Sequence, residues 1–77
     1  MKLEILTPEK KLFSGEVSSV KLPGTAGTFE VLDHHAPLIS TLDAGTIRIR
    51  PTSGEDQNFE VSAGFVEVLD NVVTVMV

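Results

Sequence analysis

The chain has 77 residues, of which 42% are hydrophobic and 22% charged, with no cysteine and a net charge of −5. A chain of that length amounts to one domain that hides about 60 to 65% of its unfolded surface on folding, so its stability margin is thin, and neither disulfides nor a thiolate metal site can widen it. The composition is too apolar for disorder, six dispersed basic residues against eleven acids argue against nucleic acid as a partner, and no apolar run approaches the ~20 residues that span a bilayer.

Leu3 and Ile5 alternate with Lys2 and Glu4, the period-two pattern of a strand with one apolar face. Thr7-Pro8 ends it, and Pro8-Glu9-Lys10 supplies turn chemistry. Lys11-Leu12-Phe13 reads as a short strand stopped by Ser14-Gly15. In Glu16 to Leu22, Val17 stands three residues before Val20, which predicts a strand with a bulge near Ser18-Ser19 rather than a cramped helix. Gly24 to Leu38 is the most irregular stretch. It reads as a Pro23-Gly24 turn, a short strand with Phe29 and Val31 inward, an exposed Asp33-His34-His35 corner, and a new strand opened by Pro37. Irregular backbone on a rigid scaffold is where partner contacts concentrate.

Leu38 to Leu42 is apolar enough to be buried, and Asp43-Ala44-Gly45 resembles a three-residue hairpin loop with glycine in the left-handed position. Ile47 and Ile49 then point one way while Thr46, Arg48 and Arg50 point the other. Pro51 to Asp56 is a polar loop, and Phe59 and Val61 alternate with polar residues after it. A bulge at Gly64 is expected to turn Val66 and Val68 inward. Asp70-Asn71 closes a tight hairpin, and Val72 to Val77 is the last strand. The fold class is therefore all-β: a small antiparallel β-sandwich of two packed sheets, with about ten short strands and a single domain over residues 1–77.

No catalytic set is complete. Asp33-His34-His35 carries the residue types of a metal-dependent phosphoesterase, but the chain has no further histidine and no acid tied to these two by a recognisable spacing. Ser18, Ser19, Ser40 and Ser62 lack a Gly-x-Ser-x-Gly elbow, and Gly24-Thr-Ala-Gly27 lacks the lysine and helix of a phosphate-binding loop. Arg48 and Arg50 share one face of one strand and are able to fork onto carboxylates of a partner, against the simpler reading of a solvated face. No cofactor or metal is expected.

Four segments, in order, carry a resemblance: LTPEKKLFSGEV, VKLPGTAGTFEVLDHHAPLI, LDAGTIRI and VSAGFVEVLDNVVTV. Together they resemble the epsilon subunit of the F-type ATP synthase, most specifically at Phe13-Ser14-Gly15, His35-Ala36-Pro37-Leu38 and Ser62-Ala63-Gly64-Phe65. The resemblance implies an amino-terminal β-sandwich of two five-stranded sheets that is not an enzyme. It implies a rotor subunit in the central stalk that grips the gamma subunit and rests on the membrane c-ring, coupling the two during ion-gradient-driven ATP synthesis. Its place is then peripheral, on the cytoplasmic face of the inner or plasma membrane, without insertion into the bilayer. The expected c-ring-facing residues are Thr28, Glu30, His34 and His35, and Arg48 and Arg50 are candidates for gamma or another partner. Thr28 and Glu30 depart from the family's usual acid and glycine around the position of Phe29, and Asp33-His34 replaces its common Pro-Gly pair. The family's carboxy-terminal helical hairpin has no counterpart before Val77, so the expectation is a short form that couples without braking through that hairpin. The competing class is a free-standing β-sandwich recognition module with exposed edges.

Overall fold

The computed structural model describes all residues from Met1 to Val77 and contains eight strands and no helix. They are β1 (Lys2–Leu6), β2 (Lys11–Gly24), β3 (Gly27–Leu32), β4 (Leu38–Leu42), β5 (Gly45–Pro51), β6 (Gln57–Val61), β7 (Gly64–Leu69) and β8 (Val72–Met76). The spine is β2. Its first half pairs with β1, and its second half pairs with β3 on one edge and β5 on the other. One layer therefore runs β2, β1, β8, β7, β4, and the other runs β3, β2, β5, β6. The layers meet again where Gly24 pairs with Leu42. Every pair is antiparallel except β1 with β8, which is parallel.

Between the layers lies a core made almost wholly of aliphatic side chains. Leu3, Ile5, Val17, Val20, Leu22, Val31, Ile47, Ile49, Val66, Val73 and Val75 are fully buried. Phe13 and Phe59 close one side, edge to face with centroids 6.4 Å apart. The inward parity predicted for Leu3, Ile5, Val31, Ile47, Ile49, Val66 and Val68 holds, and so does the bulge, which falls between Val17 and Ser19. That extra residue lets Val17 and Val20 both face inward and bends β2 from one layer into the other.

Four local expectations are corrected. Ser14-Gly15 does not stop the strand: β2 runs unbroken for 14 residues, because each half finds its own partners. Asp43-Ala44-Gly45 is not a hairpin loop. β4 pairs with β7 and β5 with β2, so this segment carries the chain between layers. It is tied down by the Asp43 amide donating to Pro23 O at 2.8 Å. Gly45 is needed there for room, since a Cβ would lie 2.9 Å from that of Pro23. The parity change near Gly64 is likewise a crossing between layers at Ser62-Ala63, and the β4–β7 and β7–β8 registers are unbroken. Finally, eight strands replace about ten, one long strand serving both layers.

The Asp70-Asn71 hairpin forms as expected, whereas the turn expected at Pro23-Gly24 falls at Thr25-Ala26, because Pro23 and Gly24 stay in β2, paired with Thr28 and Gly27. Gly27 has φ 130°, a conformation that L side chains rarely adopt. Asp70 and Asn71 have φ of 51° and 62°, the two positive values that a two-residue hairpin turn of type I′ requires.

Candidate partner-contact surfaces

Two surfaces carry the residues singled out above, and a third carries none of them. The first is the exposed edge along β3 and the corner after it. Thr28 and Glu30 pair with Pro23 and Lys21, so both point outward on an edge strand and are exposed. Leu32 lies about 13 Å further along β3 from Thr28, and His34 and His35 follow it. The four residues thus form a strip down one edge rather than a single patch.

The corner itself is firmly held. His34 has φ 62°, and its amide donates to Asn71 Oδ1 at 2.7 Å. The His35 amide donates to Leu32 O at 3.1 Å, and His35 Nδ1 lies 2.7 Å from Ala36 O. A carbonyl only accepts, so Nδ1 carries a proton. Asp33 turns back toward the core, where its carboxylate accepts from the Met1 ammonium at 2.6 Å. Val17 O at 3.1 Å and Glu16 Oε1 at 3.6 Å complete that cation's surroundings. The hydrogen bond from the ammonium holds the Asp33 carboxyl below its ordinary value, and Asp33 in turn raises the amine above its own. His34, His35 and Asp70 border a hollow of about 460 Å³, but no cluster of three or more metal-ligating side chains forms there or elsewhere.

Arg48 and Arg50 occupy the second surface, the outer face of the β3–β2–β5–β6 layer. Both are about half exposed and share one carboxylate, Asp56, at 3.7 and 3.3 Å.

Sequence reading assigned no role to the third surface, the outer face of the β1–β8–β7–β4 side. In register across it stand Thr41, Phe65, Met76 and Leu6, then Ile39, Glu67, Thr74 and Glu4, then Leu69, Val72 and Lys2. Five of the six large hydrophobic side chains that remain exposed lie here: Ile39 at 68%, Leu69 at 49%, Met76 at 48%, Val72 at 40% and Phe65 at 39%. The patch opens at one end into a groove of about 500 Å³ lined by Leu6, Pro8, Ala63 and Met76, and at the other into one of about 330 Å³ beside Pro37 and Ile39. The available signal was the parity shift at Gly64: once Val66 and Val68 turn inward, Phe65, Leu69, Val72 and Met76 must turn out.

Comparison with known proteins bears on the whole chain. A family model described as the ATP synthase delta/epsilon chain β-sandwich domain matches residues 1–77. The ATP synthase epsilon chain of Chlorobium limicola is 43% identical over 70 residues, which are 91% of this chain and 80% of that protein. That of Pelotomaculum thermopropionicum is 48% identical over 75 residues, 97% of this chain and 55% of its own length. That of Leptospira borgpetersenii is 43% identical over 77 residues, with 59% of its length covered. The chain thus spans little more than half of the latter two. Among solved structures, a chain of the Euglena gracilis mitochondrial ATP synthase superposes with a TM-score of 0.88 at 22% identity, over 96% of this chain and 48% of that one. A chain from the central stalk and c-ring assembly of the Tetrahymena thermophila enzyme gives 0.84 at 22% identity, over 97% and 60%. At that identity the likeness is one of fold.

Proposed function

The chain belongs to the ATP synthase delta/epsilon β-sandwich family, and from that premise we propose that residues 1–77 act as the sandwich of a central-stalk rotor subunit, coupling the gamma subunit to the membrane c-ring without catalysing a reaction. The observation that carries the reading is the apolar outer face of β4, β7, β8 and β1. Five large side chains left in water on one face, with a hollow at each end, make a surface that a monomer does not need and a permanent subunit contact does. We assign that face to gamma. The strip of Thr28, Glu30, His34 and His35 is assigned to the c-ring, on the polar edge that the apolar face leaves free. A stiff body gripping one rotor element and resting on another transmits torque by its contacts. The subunit then sits peripherally at the membrane, on the cytoplasmic side, held there by its partners.

The experiment is size-exclusion chromatography of the chain mixed with purified gamma at micromolar concentration. Co-elution is expected, and separate elution sinks the proposal. Cysteines placed at positions 28, 30 and 34 are expected to crosslink to the c-ring loop in the assembled enzyme. Crosslinks to gamma alone overturn the c-ring assignment.

A further inference from the structure

The outer face of the second layer carries an arrangement that the fold does not explain. Lys21 on β2 stands directly opposite Arg48 on β5, and Arg50 lies two residues further along the same face. Half of the chain's six basic residues are thus gathered on one sheet face of a molecule with net charge −5. Like charges directly opposite each other in an antiparallel pair are destabilising. Glu30 lies opposite Lys21 on β3, yet Lys21 forms no ion pair. Asp56 is the one carboxylate engaged, and its contacts are loose: 3.3 and 3.5 Å to Arg50 and 3.7 Å to Arg48, against about 2.7 to 2.9 Å for well-made charged hydrogen bonds. Asp56 belongs to the exposed loop between β5 and β6 and is itself 40% exposed.

We propose that this face is a docking strip for a carboxylate-bearing, extended segment of a protein partner, with Asp56 a placeholder that gives up Arg48 and Arg50 to the incoming carboxylates. The spacing selects the ligand. Arg48 and Arg50 stand two residues apart on one strand, about 6.6 Å, and alternate residues of an extended acidic segment repeat at the same distance. Lys21 then supplies a third contact across the strand pair. A guanidinium donates two N–H bonds to a carboxylate in a fork; Arg50 makes a long version of it with Asp56, at 3.3 and 3.5 Å, and Arg48 reaches the same carboxylate only at 3.7 Å. Exchange costs little, because exposed ion pairs of this kind contribute little to stability. The strip lies on the layer opposite the face assigned to gamma, and the inference stands whether or not that assignment does.

The test is a nuclear magnetic resonance titration of the intact chain, following the Arg48 and Arg50 Nε–H signals and the Asp56 amide. The probe is a capped Thr-Glu-Thr-Glu-Thr peptide, with Thr-Gln-Thr-Gln-Thr and tripolyphosphate alongside. Saturable shifts of both arginines are expected with the glutamate peptide only, together with release of Asp56. Arg48→Gln and Arg50→Gln are each expected to remove saturation while leaving the remaining spectrum dispersed. Asp56→Asn is expected to tighten peptide binding by about two- to fivefold, the worth of one exposed pair. Absence of saturation, an equal response to the glutamine peptide, or unchanged or weaker binding by Asp56→Asn overturns the proposal. A stronger response to tripolyphosphate reassigns the face to phosphate and also overturns it.

Discussion

Asp33 is exposed, yet its carboxylate is the main partner of the ammonium of Met1, whose side chain is buried, and the two shifts set a pH window. The folded amine is raised above its ordinary value of 8.0, first by the Asp33 hydrogen bond, so its contribution is complete below pH 8 and is lost as pH rises through the raised value. Asp33 is lowered from 3.8, first by the hydrogen bond from the amine, and Glu4 from 4.5, first by Lys11 and then Ser14. Their contributions are present above those values and are lost as pH falls through the lowered ones. Stability is therefore expected to be flat from about pH 5 to pH 8 and to fall on both sides. Asp33→Asn is expected to lower the urea midpoint at pH 7 and to flatten the alkaline limb, leaving a remnant from Glu16. Parallel alkaline limbs in the two proteins refute the assignment. Gly64 gives a second test at this scale. A Cβ there would lie 2.6 Å from Met76 O and 2.8 Å from Val77 Cγ1, so Gly64→Ala is expected to cost about 1 to 3 kcal/mol, read from chemical denaturation.

At the scale of strands, β2 holds the two layers together, and its buried positions are the costliest to empty. Leu22 is fully buried where β2 meets β3, whereas Leu12 is only half-buried where β2 meets β1. Leu22→Ala is expected to cost about 2 to 5 kcal/mol, a large share of the ~5 to 15 kcal/mol that a domain holds, and Leu12→Ala distinctly less. Equal midpoints for the two variants contradict the account of β2 as the spine. Alternation made most of the strands readable in advance, because burial on one face writes its period directly into Leu3/Ile5, Ile47/Ile49 and Val73/Val75. What alternation does not encode is partnership. Asp43-Ala44-Gly45 has the residues of a hairpin loop, and only the pairing of β4 with β7 shows it to be a crossing. Ser14-Gly15 has the residues of a stop, yet β1 alongside keeps the strand going. The corner was legible as exposed, but its clamp was not, because Asn71 reaches His34 across 37 positions of sequence. The apolar outer face was hidden for the opposite reason: alternating hydrophobic residues on both sides of β7 and β8 look like a strand buried twice.

For the whole molecule the question is how a small aliphatic core, without staple or metal, is kept folded at work. The exposed face of Ile39, Phe65, Leu69, Val72 and Met76 supplies an answer if gamma covers it, since a partner that binds only the folded state adds stability by mass action. At gamma concentrations of about 100 times the dissociation constant the gain is about 2.7 kcal/mol. For a domain of this size each kcal/mol moves the melting temperature by about 4 to 8 °C, so saturating gamma is expected to raise it by about 10 to 20 °C. Separating contact from folding requires residues that sit on the face but outside the core. Phe65 and Met76 lie opposite each other in register and both are exposed. Phe65→Ser with Met76→Ser is therefore expected to leave the melting temperature of the free chain within a few degrees while removing most of the rise given by gamma. Arg48→Gln with Arg50→Gln, on the other layer, is expected to leave that rise intact. A melting temperature indifferent to saturating gamma would remove the coupling role. A rise lost through the arginines instead of through Phe65 and Met76 would move gamma to the opposite layer and leave the apolar face to another part of the rotor.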